Sequence, residues 1–276
     1  MSAITLHQFQ FSHYNEKARW ALDYKLLPYR KRSLLPGLHI PVVLWLSGQR
    51  QLPVLEDDGA IIAGSAAIIA HLEETHPDPP LFPAGEAERR RALEIAAWFD
   101  EKVGPAIRRA FFFDLLPEGA AAARLFTGDR TDLTASLYRA LFPLTRAIMR
   151  ADMRIDAEGG AEGRRITAEA FDRVADVVGP SGYLVGDAFS VADLTAAALL
   201  APALCPPEFP VQIPEPRPRA LVEWNQRWAA HPGGRWVLDI YRRHRRSGVK
   251  QANRRCPVLS PSTNQMRRRT RRCTRD

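Results

Sequence analysis

The chain has 276 residues, 46% hydrophobic and 25% charged, which supports one large domain or two small ones and excludes disorder throughout. Its net charge of +8 is uneven: residues 242–276 hold 13 of the 39 Lys and Arg and one of the 31 acids, leaving 26 basic and 30 acidic groups elsewhere. The basic character therefore belongs to the end of the chain, and a basic partner-binding face on the body does not follow from it.

Residues 4–9 (ITLHQF) predict a short strand. After FSHY, helical spacing of Tyr14, Ala18, Ala21 and Leu22 predicts an amphipathic helix, with the stem of Lys25 extending the apolar stripe. Pro28 ends it, and YRKRSLL reads as a second strand. Residues 36–51 contain Pro36, Gly37, Pro41 and Gly48, which predicts loop with one helical turn. LPVLED at 52–57 and AIIA at 60–63 are strands joined by the hairpin signal Asp58-Gly59. Ser65 is the expected N-cap of a helix through AAIIAHLEET, with Ile68, Ile69 and Leu72 on one face. This β-α-β-loop-β-β-α order predicts a small α/β sheet with helices packed on it.

Pro77, Pro79, Pro80 and Pro83 form a linker, and from residue 86 onward the pattern is helical. Helices are expected near 86–113, 130–152, 164–178, 190–203 and 218–230, with a Gly- and acid-rich loop at 153–163. SVAD at 190–193 has the spacing of a capping box, Ser190 with Asp193, stapled by Phe189 or Val185. Residues 247–276 have few apolar residues, and disorder is expected there.

No run reaches the roughly 18–20 apolar residues of a spanning helix. MSAITLHQFQFSHYN has no signal-peptide pattern, and Cys205 is the only cysteine of the body, so the expected location is the cytoplasm. Three Cys and seven His leave no disulfide framework or multi-cysteine zinc site. In HLEETH, His71 and His76 are five residues apart, about 140° around a helix, so a solvated helix is expected and no metal. The runs RRHRR at 242–246 and RRRTRR at 267–272 lack aromatic interleaving, so nucleic acid is not an expected partner and a solvated tail is.

Three short segments carry candidate chemistry. Ser12 precedes a helix N-terminus, where free N–H groups and the dipole favour an anion such as a thiolate. Lowering a thiol by two pKa units takes about 2.7 kcal/mol, within reach of one charge-assisted hydrogen bond and a helix end. A plain loop serine or cap is the simpler reading of Ser12 alone. In Gln51-Leu52-Pro53, Leu52 at a strand head can offer its N–H and C=O to a peptide-like ligand, although the pair read alone is an ordinary trans one. Gly64-Ser65 sits at another helix N-terminus, a site for a carboxylate.

Taken together, FSHYNEKARWAL, QLPVLEDDGAIIAGSAAIIAHLE and YLVGDAFSVADLTAAALLAP resemble the glutathione transferase family over residues 3–245. The resemblance implies an α/β thioredoxin-like N-terminal domain at 1–80 and an all-α C-terminal domain at 86–245, with the tail at 247–276 outside both. It implies glutathione as co-substrate and no metal, and a homodimer working in detoxification. By the anchor Lys17-x-Arg19-x-x-Leu22, Ser12 falls on the catalytic Ser or Cys of zeta-like and omega-like classes. Gln51 and Leu52 fall on contacts to the cysteinyl part of glutathione, Pro53 on the cis-proline, and Gly64-Ser65 on the pair holding the γ-glutamyl carboxylate. Arg50 is placed near the glycyl carboxylate, and Asp193 on the folding aspartate of the capping box.

Two departures stand out. The first of the γ-glutamyl pair is usually acidic and is Gly64 here, which implies weaker glutathione binding. His13 stands where many relatives have Pro. Without Cys in SHYN, disulfide chemistry is excluded, and thiol transfer of the omega-like kind is not expected. The second substrate is expected to be an apolar electrophile, with Phe112, Phe113 and Tyr138 as candidate pocket residues; Trp98, Trp224, Trp228 and Trp236 read as packing. The alternative is a non-catalytic scaffold or binding protein of the same fold, which Gly64 favours.

Overall fold

The computed structural model describes residues 4–128 and 130–245. The expected tail at 247–276 lies outside the described residues.

A four-stranded sheet has the order β2-β1-β3-β4, with β1 Ile4–Gln8, β2 Tyr29–Ser33, β3 Val54–Asp57 and β4 Ala60–Ala63. β1 pairs parallel with β2 and antiparallel with β3, and β3 is antiparallel with β4. Edge strand β2 shows Arg30, Lys31 and Arg32 to solvent, charges that discourage pairing with another chain. Asp58 and Gly59 both have positive φ (47° and 82°), as a hairpin turn of matching twist requires.

α1 (His13–Tyr24) crosses between the parallel strands and packs on α3 (Ser65–Thr75). α2 (Ile40–Ser47) runs longer than the single turn expected from its Pro and Gly. Pro41 lies in its first turn, where proline is tolerated, and Gly48 ends it with φ 68°. These residues mark the ends of the helix instead of breaking it.

The second half is helical. The single helix expected at 86–113 is α4 (Glu86–Trp98) and α5 (Gly104–Leu115), joined by a π-helical turn at Phe99–Val103. α6 (Gly119–Thr127) and α11 (Pro232–His244) had no counterpart among the expected elements. α7 (Leu133–Asp152), α9 (Val191–Leu200) and α10 (Arg219–Ala230) fall close to expectation. α8 (Ala157–Val177) starts inside the expected glycine-rich loop. A Cβ on Gly163 would lie 2.4 Å from Ala106 O, and one on Gly160 2.8 Å from the Phe113 ring. Those glycines let α8 lie close on α5, a tertiary need that composition reads as loop.

Every residue of α9 is buried. Its capping box forms: Ser190 N–H donates to Asp193 Oδ2 (2.9 Å), Ser190 Oγ accepts from Ala192 N–H, and Leu184 N–H donates to Asp193 Oδ1 (2.8 Å). Burial raises the Asp193 carboxyl to about 6 against these bonds. Phe189 and Val185 are both buried beside it. Among the described residues no helix is long and apolar enough to cross a membrane.

α1 carries charges at the seam between the halves. Glu16 is fully buried and accepts from Arg19 Nε (2.8 Å) and Arg245 Nε (2.6 Å), while Arg245 also reaches Asp23 (2.8 Å). Lys17 Nζ donates to Asp100 (2.6 Å). Lys25 buries its ammonium as well as its stem, against Glu73 (2.6 Å) and the carbonyls of His76 and Pro79. The run at 242–246 is thus not simply solvated: residues 242–244 end α11 and Arg245 is 4% exposed.

Removing one partner of a buried pair leaves an uncompensated charge. Arg245→Met is expected to lower the unfolding free energy by about 3–5 kcal/mol in a denaturant titration. Arg219→Met, which breaks only a solvent-exposed pair with Glu223, should leave the midpoint where it is.

Candidate functional site

A cleft of about 750 Å³ runs between the sheet half and the helical half. Its α/β wall is lined by Ser12, Arg50, Gln51, Leu52, Pro53, Gly64 and Ser65. The facing wall includes Arg108, Phe111, Phe112, Phe126 and Met149. The structure therefore brings together the three segments singled out in the sequence.

Ser12 is the N-cap of α1, in extended backbone (φ −161°, ψ 128°). Its Oγ accepts a long bond from Asn15 N–H (3.4 Å) and is half-buried in the cleft. A hydroxyl has one donor besides its lone pairs, so capping leaves the O–H free to donate into the cleft. The preceding Phe11 stacks on Phe111 (5.1 Å), fixing the approach of the two walls.

Leu52-Pro53 is a cis peptide, and Pro53 O accepts from Gly64 N–H (2.9 Å), joining the second and third segments. Gly64, not Ser65, caps α3, and no side-chain bond closes that end. Ser65, Ala66 and Ala67 line the cleft there, at a helix end whose first-turn N–H groups have no intrahelical partner. Gly64 has φ +96°, a backbone that L side chains rarely adopt, with open space around its missing Cβ. An acid at this position would carry backbone strain, which the glycine avoids.

His39 ties Arg50 to the loop before α2. Its Nδ1 accepts from Gly37 N–H (3.1 Å), so its Nε2–H donates to Arg50 O (3.0 Å). Burial first, then the Arg50 charge, lower its pKa against the raising effect of hydrogen bonds to the Arg50 and Leu35 backbone.

The N-terminus of α1 docks on the π-helical turn. Tyr14 Oη donates to Asp100 O (2.5 Å) and His13 Nε2–H donates to Gly104 O (3.0 Å). A Cβ on Gly104 would sit 2.2 Å from Tyr14 Oη, so glycine is required at this contact. Burial, with the Arg108 charge, pushes His13 down to about 3, so it stays neutral. Burial raises the Tyr14 hydroxyl, which keeps its proton.

Phe112 lines the cleft, edge-on to Phe111 (5.2 Å) and stacked with Phe126 (5.9 Å). Phe113 and Tyr138 do not line it. Phe113 turns toward α8, under the Arg164 guanidinium (5.4 Å), and Tyr138 is buried against Phe142 (6.0 Å). Successive residues of a helix point about 100° apart, so with Phe111 and Phe112 on the cleft side Phe113 is carried round to the α8 side. Trp224, Trp228 and Trp236 are buried, as expected of packing residues, and Trp98 lies under Arg173 (4.3 Å). Burial pushes the Cys205 thiol up to about 11, away from nucleophilic use. His71 pairs with Asp57 (2.9 Å), and no metal-binding cluster occurs among the described residues.

Sequence reasoning missed His39, Tyr14 and Arg108 as cleft residues. For Arg108 a signal existed: it lies three and four residues before Phe111 and Phe112, hence on their face.

Two family models match: the N-terminal domain of glutathione S-transferase over residues 6–80 and its C-terminal domain over 138–232. The chain belongs to the glutathione S-transferase family. Over 110 residues it is 33% identical to FtsZ-localized protein A of Caulobacter vibrioides, covering 36% of this chain and 45% of that protein. Over 60 residues it is 42% identical to maleylacetoacetate isomerase of Dictyostelium discoideum, covering 22% and 27%. The matched segments span less than half of either curated relative. A glutathione S-transferase from Rhodospirillum rubrum superposes with TM-score 0.56 at 22% identity, covering 85% of this chain and 91% of that one. A theta-class transferase from Xanthomonas axonopodis, solved with glutathione bound, gives TM-score 0.53 at 18% identity, covering 86% and 98%. At these identities the likeness to solved structures is one of fold: an α/β sheet domain followed by an all-helical one.

A histidine held neutral by burial stabilises the fold fully above its unfolded pKa near 6.5, and the contribution is lost as pH falls toward the folded value of about 3. The loss approaches about 1.4 kcal/mol per pH unit below 6.5. Between pH 7 and pH 5 the wild type should lose about 2 kcal/mol more of its unfolding free energy than His13→Asn, as read by urea titration. Parallel pH profiles for the two chains would show that His13 is not buried in its neutral form.

Proposed function

We propose that the protein is a cytoplasmic glutathione transferase in which Ser12 activates the glutathione thiol for attack on an electrophile. The observation that carries the reading is the convergence of Ser12, Gln51 to Pro53, and Gly64-Ser65 on one wall of one cleft, in a chain of this family. The wall fits the tripeptide's chemistry. A free O–H and a helix end suit the sulfur, a short strand head suits the cysteinyl backbone, and the open end of α3 suits a carboxylate. Arg50 is assigned to the glycyl carboxylate.

Ser12 Oγ donates to the sulfur and holds it as thiolate, with the α1 dipole adding to the effect. The thiol proton passes to solvent. The opposite wall positions the electrophile, a sulfur–carbon bond forms, and the leaving group departs with its electron pair where there is one. Residues 1–80 are assigned to glutathione and 86–245 to the second substrate.

A second reading keeps the fold as a scaffold without turnover. It is favoured by an apolar stripe on α7, where Leu133 (84%), Leu137, Leu141, Leu144 and Ile148 are all exposed. A stripe of that length is a protein-contact surface. The homodimer implied by the family would cover it with a second copy.

Calorimetric titration with reduced glutathione separates the two readings. The wild type is expected to bind in the micromolar to low-millimolar range and to release a proton near neutral pH. Ser12→Ala should lose the proton release and, with an electrophile, about 10- to 100-fold in kcat/KM, the worth of one charge-assisted hydrogen bond. Absence of heat at several millimolar glutathione would sink the transferase reading and leave the scaffold.

A further inference from the structure

Among the described residues the buried Lys and Arg side chains are paired by contact, whereas a half-buried cation in the cleft is not. Arg19 and Arg245 meet Glu16, Lys17 meets Asp100 and Lys25 meets Glu73. Arg109 reaches Glu162 at 3.6 Å. Arg108, its neighbour on α5, has no ion pair or hydrogen bond to any described residue, and its Nε is buried without a partner. It is half-buried and lines the cleft beside Phe111 and Phe112. Burial lowers its pKa, with the Arg109 charge, against the opposing effects of Tyr14 and Asp152. A guanidinium desolvated without a counterion is costly, and the cost is offset when an anion arrives.

The surroundings define that anion. Asp100, Glu101 and Asp152 also line the cleft, and Asp100 is already committed to Lys17. His13 is neutral and adds no positive charge. One unpaired cation among acids suits a single negative charge, whereas a dianion such as a phosphate monoester would be repelled. The planar fork of arginine matches a carboxylate with two parallel bonds. Beside it, Phe111, Phe112, Phe126 and Met149 offer an apolar wall.

We propose that Arg108 is a specificity residue: it holds the carboxylate of a second substrate whose body is apolar and lies on the phenylalanine wall. This narrows the apolar electrophile of the transferase reading to an amphipathic acid. It rests on that reading for the reaction, and on the cleft alone for the binding.

Two paired probes test it on the full chain. The binding pair is 3,5-dinitrobenzoate and its methyl ester, which carry no leaving group and bind without reacting. The turnover pair is 4-chloro-3,5-dinitrobenzoate and its methyl ester. In turnover the glutathione sulfur bonds to the ring carbon, chloride leaves with the electrons of the C–Cl bond, and the thiol proton goes to solvent. The wild type should bind the acid more tightly than the ester. In Arg108→Met that preference should fall by about tenfold or more, mainly in Kd and KM, and Arg108→Lys should retain part of it. Arg108→Gln replaces the Met variant if its melting temperature shows that it does not fold.

An unchanged acid-to-ester preference in the variants overturns the proposal. So does an equal loss for acid and ester with a raised glutathione thiol pKa, which would make Arg108 a stabiliser of the thiolate. A wild type that selects the acid through Arg108 but binds no glutathione at several millimolar would uphold the anion site and refute the transferase reading.

Discussion

The Glu16 carboxylate, fully buried between the guanidiniums of Arg19 and Arg245, is the contact on which the arrangement of the two halves depends. Arg19 comes from the same helix and Arg245 from the last described residue, 229 positions away. The carboxylate thus clasps the residue that follows α11 onto the helix that begins the site. Arg19 also donates to Gln8 Oε1 and Phe9 O, at the exit from β1. Each group here has been taken out of water, so the cluster is stable only when complete. That requirement makes α1 a rigid mount for Ser12 at its N-terminus.

A second set of bonds holds the same helix end from the other side. The π-helical turn widens the backbone between α4 and α5 and presents Asp100 O and Gly104 O to Tyr14 and His13. Such turns recur near functional sites because they redirect backbone groups without ending the helix. Gly104 lets Tyr14 approach, and Lys17 meets the Asp100 carboxylate one turn further on. The cleft therefore has its width set by main-chain contacts at its base, while its walls are free to differ in chemistry.

The two walls do differ. The α/β wall is built of hydroxyls, a strand head and an open helix end, groups suited to a short peptide. The helical wall is aromatic and carries one cation with no partner in contact. Between them His13 and Tyr14 are kept uncharged by burial, so the two residues that follow Ser12 add no charge beside it.

The sequence by itself determined the order of the sheet elements, the hairpin at Asp58-Gly59, the capping box at Ser190 and Asp193, and the three segments that line the α/β wall. Each is a local pattern whose spacing and backbone preference act over a few residues. Tertiary structure alone decided the rest. Gly160 and Gly163 read as loop until α5 lies against them, and Pro41 and Gly48 read as breakers until they bound α2. Phe112 and Phe113 are equivalent in composition, but only the placement of α8 sends one to the cleft and the other away. Arg245 reads as part of a solvated run, and the spacing that sets Arg108 on the face of Phe111 and Phe112 does not show that it lacks a contacting counterion. A charged side chain reveals its role only through what shares its low-dielectric surroundings: Glu16 and Asp23 for Arg245, and for Arg108 a cleft wall with no contacting counterion. Those surroundings are assembled from positions far apart in the chain, which no local pattern records.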